Sequence, residues 1–114
     1  MTNSEMNVTI KLKLQLAEGI HLNTDAPNSW TIFSEGKTLK EMLSKDGLKV
    51  KGDLSGETLQ TLTSIPVINT TEELCILLDL YVCEDSGTCR MDKKTLRDVI
   101  QPLETVKTFI LELN

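Results

Sequence analysis

The sequence predicts an all-β fold, an antiparallel sandwich of about seven short strands, and three observations carry that reading. Val8, Ile10, Leu12, Leu14 and Leu16 alternate strictly with Thr9, Lys11, Lys13 and Gln15, the period of two expected of a strand with one wet face. Leu74 to Cys83 is apolar on both of its faces for part of its length, which suits a central strand. Turn-forming Gly, Pro, Asn and Asp separate the apolar runs, and nowhere does strand alternate with helix as a parallel sheet requires.

After the first strand, Ala17-Glu18-Gly19 and then His21 to Asn28 read as turn and loop, because Asn, Asp and Pro favour local backbone bonds over a ladder. Ser29 to Ser34, carrying Trp30, Ile32 and Phe33, is the second strand, with Trp30 in the core. Thr38-Leu39-Lys40-Glu41 has the spacing of a capping box, so one or two helical turns follow, stopped by Gly47. Leu48 to Leu54 reads as a strand ending at Gly52-Asp53. Leu59, Leu62 and Ile65 are apolar, and Ile65-Pro66-Val67 belongs at an edge or a strand start, since proline cannot donate to a ladder. Beyond the central strand, Glu84 to Thr88 forms a turn and Thr88 to Met91 returns as its partner. Thr105 to Leu113 closes the fold. Asp79, set among apolar neighbours, is expected at an exposed edge or paired with a Lys or Arg.

A length of 114 residues is that of one domain, here residues 1–114, and is enough to bury a core. Only 4% of the chain is aromatic, so that core rests on Leu, Ile and Val. The net charge of −5, with no Lys/Arg tract, excludes nucleic acid and anionic membrane as expected partners, because both need a cationic face. No apolar run approaches the roughly 20 residues of a membrane helix, and Met1 to Asn7 lacks the character of a secretory leader. The expected location is therefore cytoplasmic as written, or periplasmic or extracellular if the chain is a module of a larger protein. An isolated domain of this kind is expected to be a monomer without cofactor or metal.

The chemistry centres on cysteine. Cys83 and Cys89 enclose Glu-Asp-Ser-Gly-Thr, and a hairpin with Gly87 at positive φ can bring two Cα atoms within the roughly 4.4–6.8 Å that a disulfide needs. So short a bridge would stabilise the fold by only about 2 kcal/mol in the chain-entropy view. Three readings stand side by side: a static bridge or free thiols, a reversible dithiol/disulfide couple, and a zinc site using Cys75, Cys83, Cys89 and His21. The last has a spacing that matches no usual knuckle. Cys75 reads as a small core residue. His21, the single histidine, has no nucleophile at triad-like spacing and reads as a solvated loop residue near Asp25.

Two resemblances bear on function. Tyr81-Val82-Cys83-Glu84-Asp85-Ser86-Gly87-Thr88-Cys89 resembles the C-x5-C hairpin in the N-terminal domain of the thiol:disulfide interchange protein DsbD. Leu22 to Trp30, followed by Leu80 to Cys83, Cys89 and Gln101-Pro102-Leu103, is similar to the C-terminal β domain of NHL repeat-containing protein 2 relatives. These resemblances imply an immunoglobulin-like sandwich, an accessory role beside thioredoxin-type chemistry, a thioredoxin-fold protein or domain as partner, and Cys83 and Cys89 as the catalytic redox pair. The alternative is a non-catalytic binding module with structural or free cysteines.

Overall fold

A computed structural model describes residues 6–114, and the expectation drawn from Met1 to Asn7 lies largely outside them. Two sheets pack face to face around one apolar cluster. The smaller sheet sets β1 (Asn7–Leu16) between β5 (Leu59–Pro66) and β8 (Val106–Leu113). The larger is built on β6 (Glu72–Glu84), which pairs along its whole length with β7 (Cys89–Ile100). On the other side, β6 pairs first with β3 (Ser29–Phe33) and then with β2 (Ile20–Leu22), while β4 (Lys51–Asp53) extends β3 outward. The helix α1 (Lys37–Leu43) spans the β3–β4 connection.

The alternation seen in the sequence becomes the core. Val8, Ile10, Leu12 and Leu14 point inward from β1, facing Leu74, Ile76, Leu78, Leu80 and Val82 from β6, and all are essentially inaccessible. Trp30 joins them from β3. Burying one such side chain contributes about 1.5–3 kcal/mol, so this layer is the main source of stability.

Several elements differ from expectation, each for a physical reason. The ladders are antiparallel except β1 with β8, which run parallel from Thr9↔Val106 to Leu16↔Leu113. Among the described residues eight strands form rather than about seven. His21 and Leu22, expected in a loop, pair with the end of β6 as part of β2. The expected strand over 48–54 shortens to Lys51–Asp53, with Gly52 directly beneath the Trp30 ring, where a Cβ would lie 3.0 Å from Cζ2. The return strand after the hairpin runs on to Ile100, well past Met91. The capping box does not form: Gly36 is the N-cap and makes no side-chain cap bond. Glu72, arriving from β6, accepts from the Leu39 N–H at 2.8 Å instead. As expected, the proline-bearing segment ends an edge strand, β5.

Two polar details hold β2 and β3 in line along β6. Between their ladders, Asn23 N–H donates to the Tyr81 carbonyl at 2.8 Å. Tyr81 N–H donates to Oδ1 of the buried Asn28 at 2.7 Å. The Asn28 amide in turn donates to the carbonyls of Asn23 and Ala26. One side chain thus continues the ladder where the backbone leaves it, and the position of β2 beside Cys83 depends on it.

Candidate functional site

The hairpin joining β6 to β7 explains how the two cysteines meet. Gly87 N–H donates to the Glu84 carbonyl at 2.9 Å, closing a four-residue turn, and Gly87 takes φ +99, open to glycine and costly for other residues. Glu84 N–H then donates to the Thr88 carbonyl at 2.8 Å. This is the three-residue hairpin loop with a glycine bulge. The next pair outward, Cys83 and Cys89, lies directly opposite with Cα atoms 4.0 Å apart and is joined by a disulfide. In an antiparallel ladder the pair beyond a hydrogen-bonded one is the closer kind, with side chains together on one face.

The two sulfurs sit in unlike surroundings. Cys83, on the central strand, is 5% exposed. Cys89, on the edge strand, is exposed. Among the described residues no strand pairs with the outer edge of β7. The bridge joins β6 to β7, with Cys89 on the strand whose outer edge is free among the described residues and Cys83 on the strand that β2 flanks.

β2 places His21 directly opposite Cys83. Paired residues share a face, so His21, Cys83 and Cys89 form one row across three strands. The imidazole Nδ1 lies 3.4 Å from Oδ1 of Asp85 in the hairpin turn, and Asp85 N–H donates to the Gly19 carbonyl at 2.9 Å, tying that turn to the β1–β2 turn. An open depression of about 450 Å³ is lined by His21, Asn23, Asp25, Glu84, Asp85 and the two cysteines. His21 is solvated and near Asp25 as expected, but its placement in a loop is corrected: it is a strand residue beside the bridge. The turn-rich composition of residues 23–28 hid it, and no local signal shows that β2 pairs with residues 60 positions away.

Cys75 lies eight residues back along β6, fully buried, and takes no part in this row. Arg97 Nη1 donates to its sulfur at 3.2 Å. Burial pushes the Cys75 thiol up, against the pull of the Arg97 charge. A four-ligand zinc set with His21, Cys83 and Cys89 is not assembled, and among the described residues no cluster of His, Cys, Asp and Glu forms a metal site. Asp79 is half-exposed and 3.4 Å from Lys93, one of the two expected placements. Among the described residues no helix is long and apolar enough to cross a membrane.

No protein-family model matches this chain, and no curated protein matches it.

Proposed function

We propose that this domain serves thiol–disulfide exchange, with Cys83 and Cys89 cycling between disulfide and dithiol against a thioredoxin-fold partner. The observation that carries the reading is the asymmetry of the bridge. A thiolate must approach from the side away from the leaving sulfur, and Cys89 is the exposed sulfur, carried by the strand whose outer edge is free among the described residues. The rival sulfur, Cys83, is buried on the central strand with His21 opposite it.

Stability supports the same reading by its weakness. The bridge closes a hairpin that twelve consecutive register pairs already hold. Constraining so short a loop is worth about 2 kcal/mol, little against a core of more than twenty buried apolar side chains. The resemblances in residues 81–89 and 22–30 agree with an accessory role beside a thioredoxin-type protein. A cycling pair of this kind is compatible with an oxidising compartment, where it rests as the bridge.

Equilibrating the protein in glutathione buffers tests the proposal. A reduction potential within about 50 mV of the thioredoxin value near −270 mV is expected, whereas one far below −300 mV marks a static bridge. Substituting both Cys83→Ser and Cys89→Ser separates exchange from binding. If a captured thioredoxin-fold partner binds the double variant and the wild type alike, the domain is a binding module and the cysteines are not its working part.

A further inference from the structure

We infer that His21 is the proton donor to the Cys83 sulfur during reduction of the bridge, with Asp85 as its positioning residue. This rests on the exchange reading above and names the group that makes the exchange directional.

The argument begins with the leaving group. Attack through the open edge strikes the exposed Cys89 and leaves the electron pair on Cys83, the buried sulfur. Burial disfavours a charged sulfur, so that departure is the hard part of the step. A proton delivered to Cys83 as the bond breaks removes the difficulty. The residue opposite Cys83 on the side away from Cys89 is His21, the single histidine of the chain. Its Nδ1 faces Asp85, and among the described residues Nε2 has no protein partner. A carboxylate facing Nδ1 fixes the orientation of the ring and leaves Nε2 free to act on the bridge.

The charged neighbours of His21 are few. The carboxylates of Asp25, Glu84 and Asp85 share the depression. Carboxylic acids as a class ionise below pH 5, whereas histidine changes charge between pH 5 and 8. A step in that window therefore belongs to the imidazole.

The exchange balances as follows. A thiolate of a partner dithiol attacks Sγ of Cys89, forming a mixed disulfide and breaking the Cys83–Cys89 bond. The electron pair passes to Cys83 Sγ, which takes the proton of the His21 imidazolium and becomes a thiol. The partner's second thiol loses its proton to solvent and attacks the partner sulfur of the mixed disulfide, expelling Cys89 as thiolate. The partner is oxidised by two electrons to its disulfide, and the pair is reduced by the same two. Solvent reprotonates the histidine.

The test is the rate at which dithiothreitol reduces the bridge in the folded protein from pH 5.5 to 8.5, followed by trapping of free thiols and expressed per unit of dithiothreitol thiolate. His21→Gln and Asp85→Asn are compared with the wild type. Both side chains lie at the surface, 52% and 78% exposed, so both variants keep the fold. For the wild type the normalised rate is expected to fall about fivefold or more from pH 5.5 to 8.5, a modest share of the usual general-acid effect. In His21→Gln the profile becomes flat and slow, and in Asp85→Asn the rate falls while its dependence on pH remains. Identical profiles for wild type and His21→Gln overturn the assignment of the proton donor while leaving exchange standing. A bridge that resists dithiothreitol at every pH until the protein unfolds overturns the exchange reading, and this inference with it.

Discussion

Asn28 shows how one side chain can govern a site it does not touch. β2 and β3 both lean on β6, but their ladders stop short of each other at Leu80 and Tyr81. The Asn28 amide fills the interval, accepting from Tyr81 N–H and donating to two loop carbonyls. Without that side chain the half-buried Tyr81 N–H loses its partner, and an unsatisfied donor costs up to about 1–3 kcal/mol when fully buried. Asn28→Ala is therefore expected to lose stability by up to that amount in urea unfolding, whereas Asn28→Asp, which keeps the acceptor for Tyr81, should lose less. Because the same bonds hold β2, the Ala variant should also speed amide exchange at Asn23, whose N–H donates to the Tyr81 carbonyl. Equal losses for the two substitutions would show that the link to Tyr81 is not what matters. Asn28 was legible only as a turn former, since its partner lies 53 residues away. Cys83 and Cys89 were legible as a pair because the whole of their geometry is local: a glycine turn between two cysteines. His21 was not, because its role comes from a strand pairing made across the fold.

At the scale of elements the same division recurs. β1 and β6 announce themselves because one face of each is continuously apolar. β7 does not, although it is nearly as long as β6. Its inward positions carry Arg90, Asp92, Lys94 and Asp98 beside Leu96 and Ile100, so the period of two that marks a strand is absent. Inward-pointing charge is a known guard for an exposed edge, since it opposes pairing with a second copy. β7 owes its form to β6, through the register from Glu72↔Ile100 to Cys83↔Cys89. That predicts a hairpin that survives loss of its bridge. Cys83→Ser with Cys89→Ser should lower unfolding free energy by about 2 kcal/mol, and amide protection from Leu74 to Val82 should persist. Loss of protection along the whole of β6 would mean that the bridge, and not the ladder, holds the hairpin.

Across the whole molecule, two carboxylates tie separate elements together, and both prefer to stay charged. Glu72 begins β6 and caps α1; the hydrogen bond from the Leu39 N–H holds its carboxyl below the ordinary 4.5. Asp98 near the end of β7 accepts from Lys107 of β8 at 2.9 Å, across the seam between the two sheets, and that bond holds it below the ordinary 3.8. A carboxyl depressed in the folded state contributes stability that is present above its unfolded value and is lost as pH falls through its folded one. Both contributions are therefore complete at neutral pH, begin to decline below about pH 4.5, and are gone once both groups are protonated. Partial exposure limits their size, because water screens such contacts. The combined substitution Glu72→Gln with Asp98→Asn is expected to be less stable than wild type at pH 7 and to converge with it as the pH falls and both carboxyls are protonated. Its unfolding free energy should change less steeply with pH over that interval. Urea titrations at half-unit steps measure the slope directly, and an acid limb as steep in the variant as in the wild type would assign acid sensitivity to other carboxylates. Convergence with a shallower limb would locate it in the two contacts that join the helix to β6 and β7 to β8, both remote from the cysteine hairpin, so acid should loosen those joints while the disulfide still holds the hairpin closed.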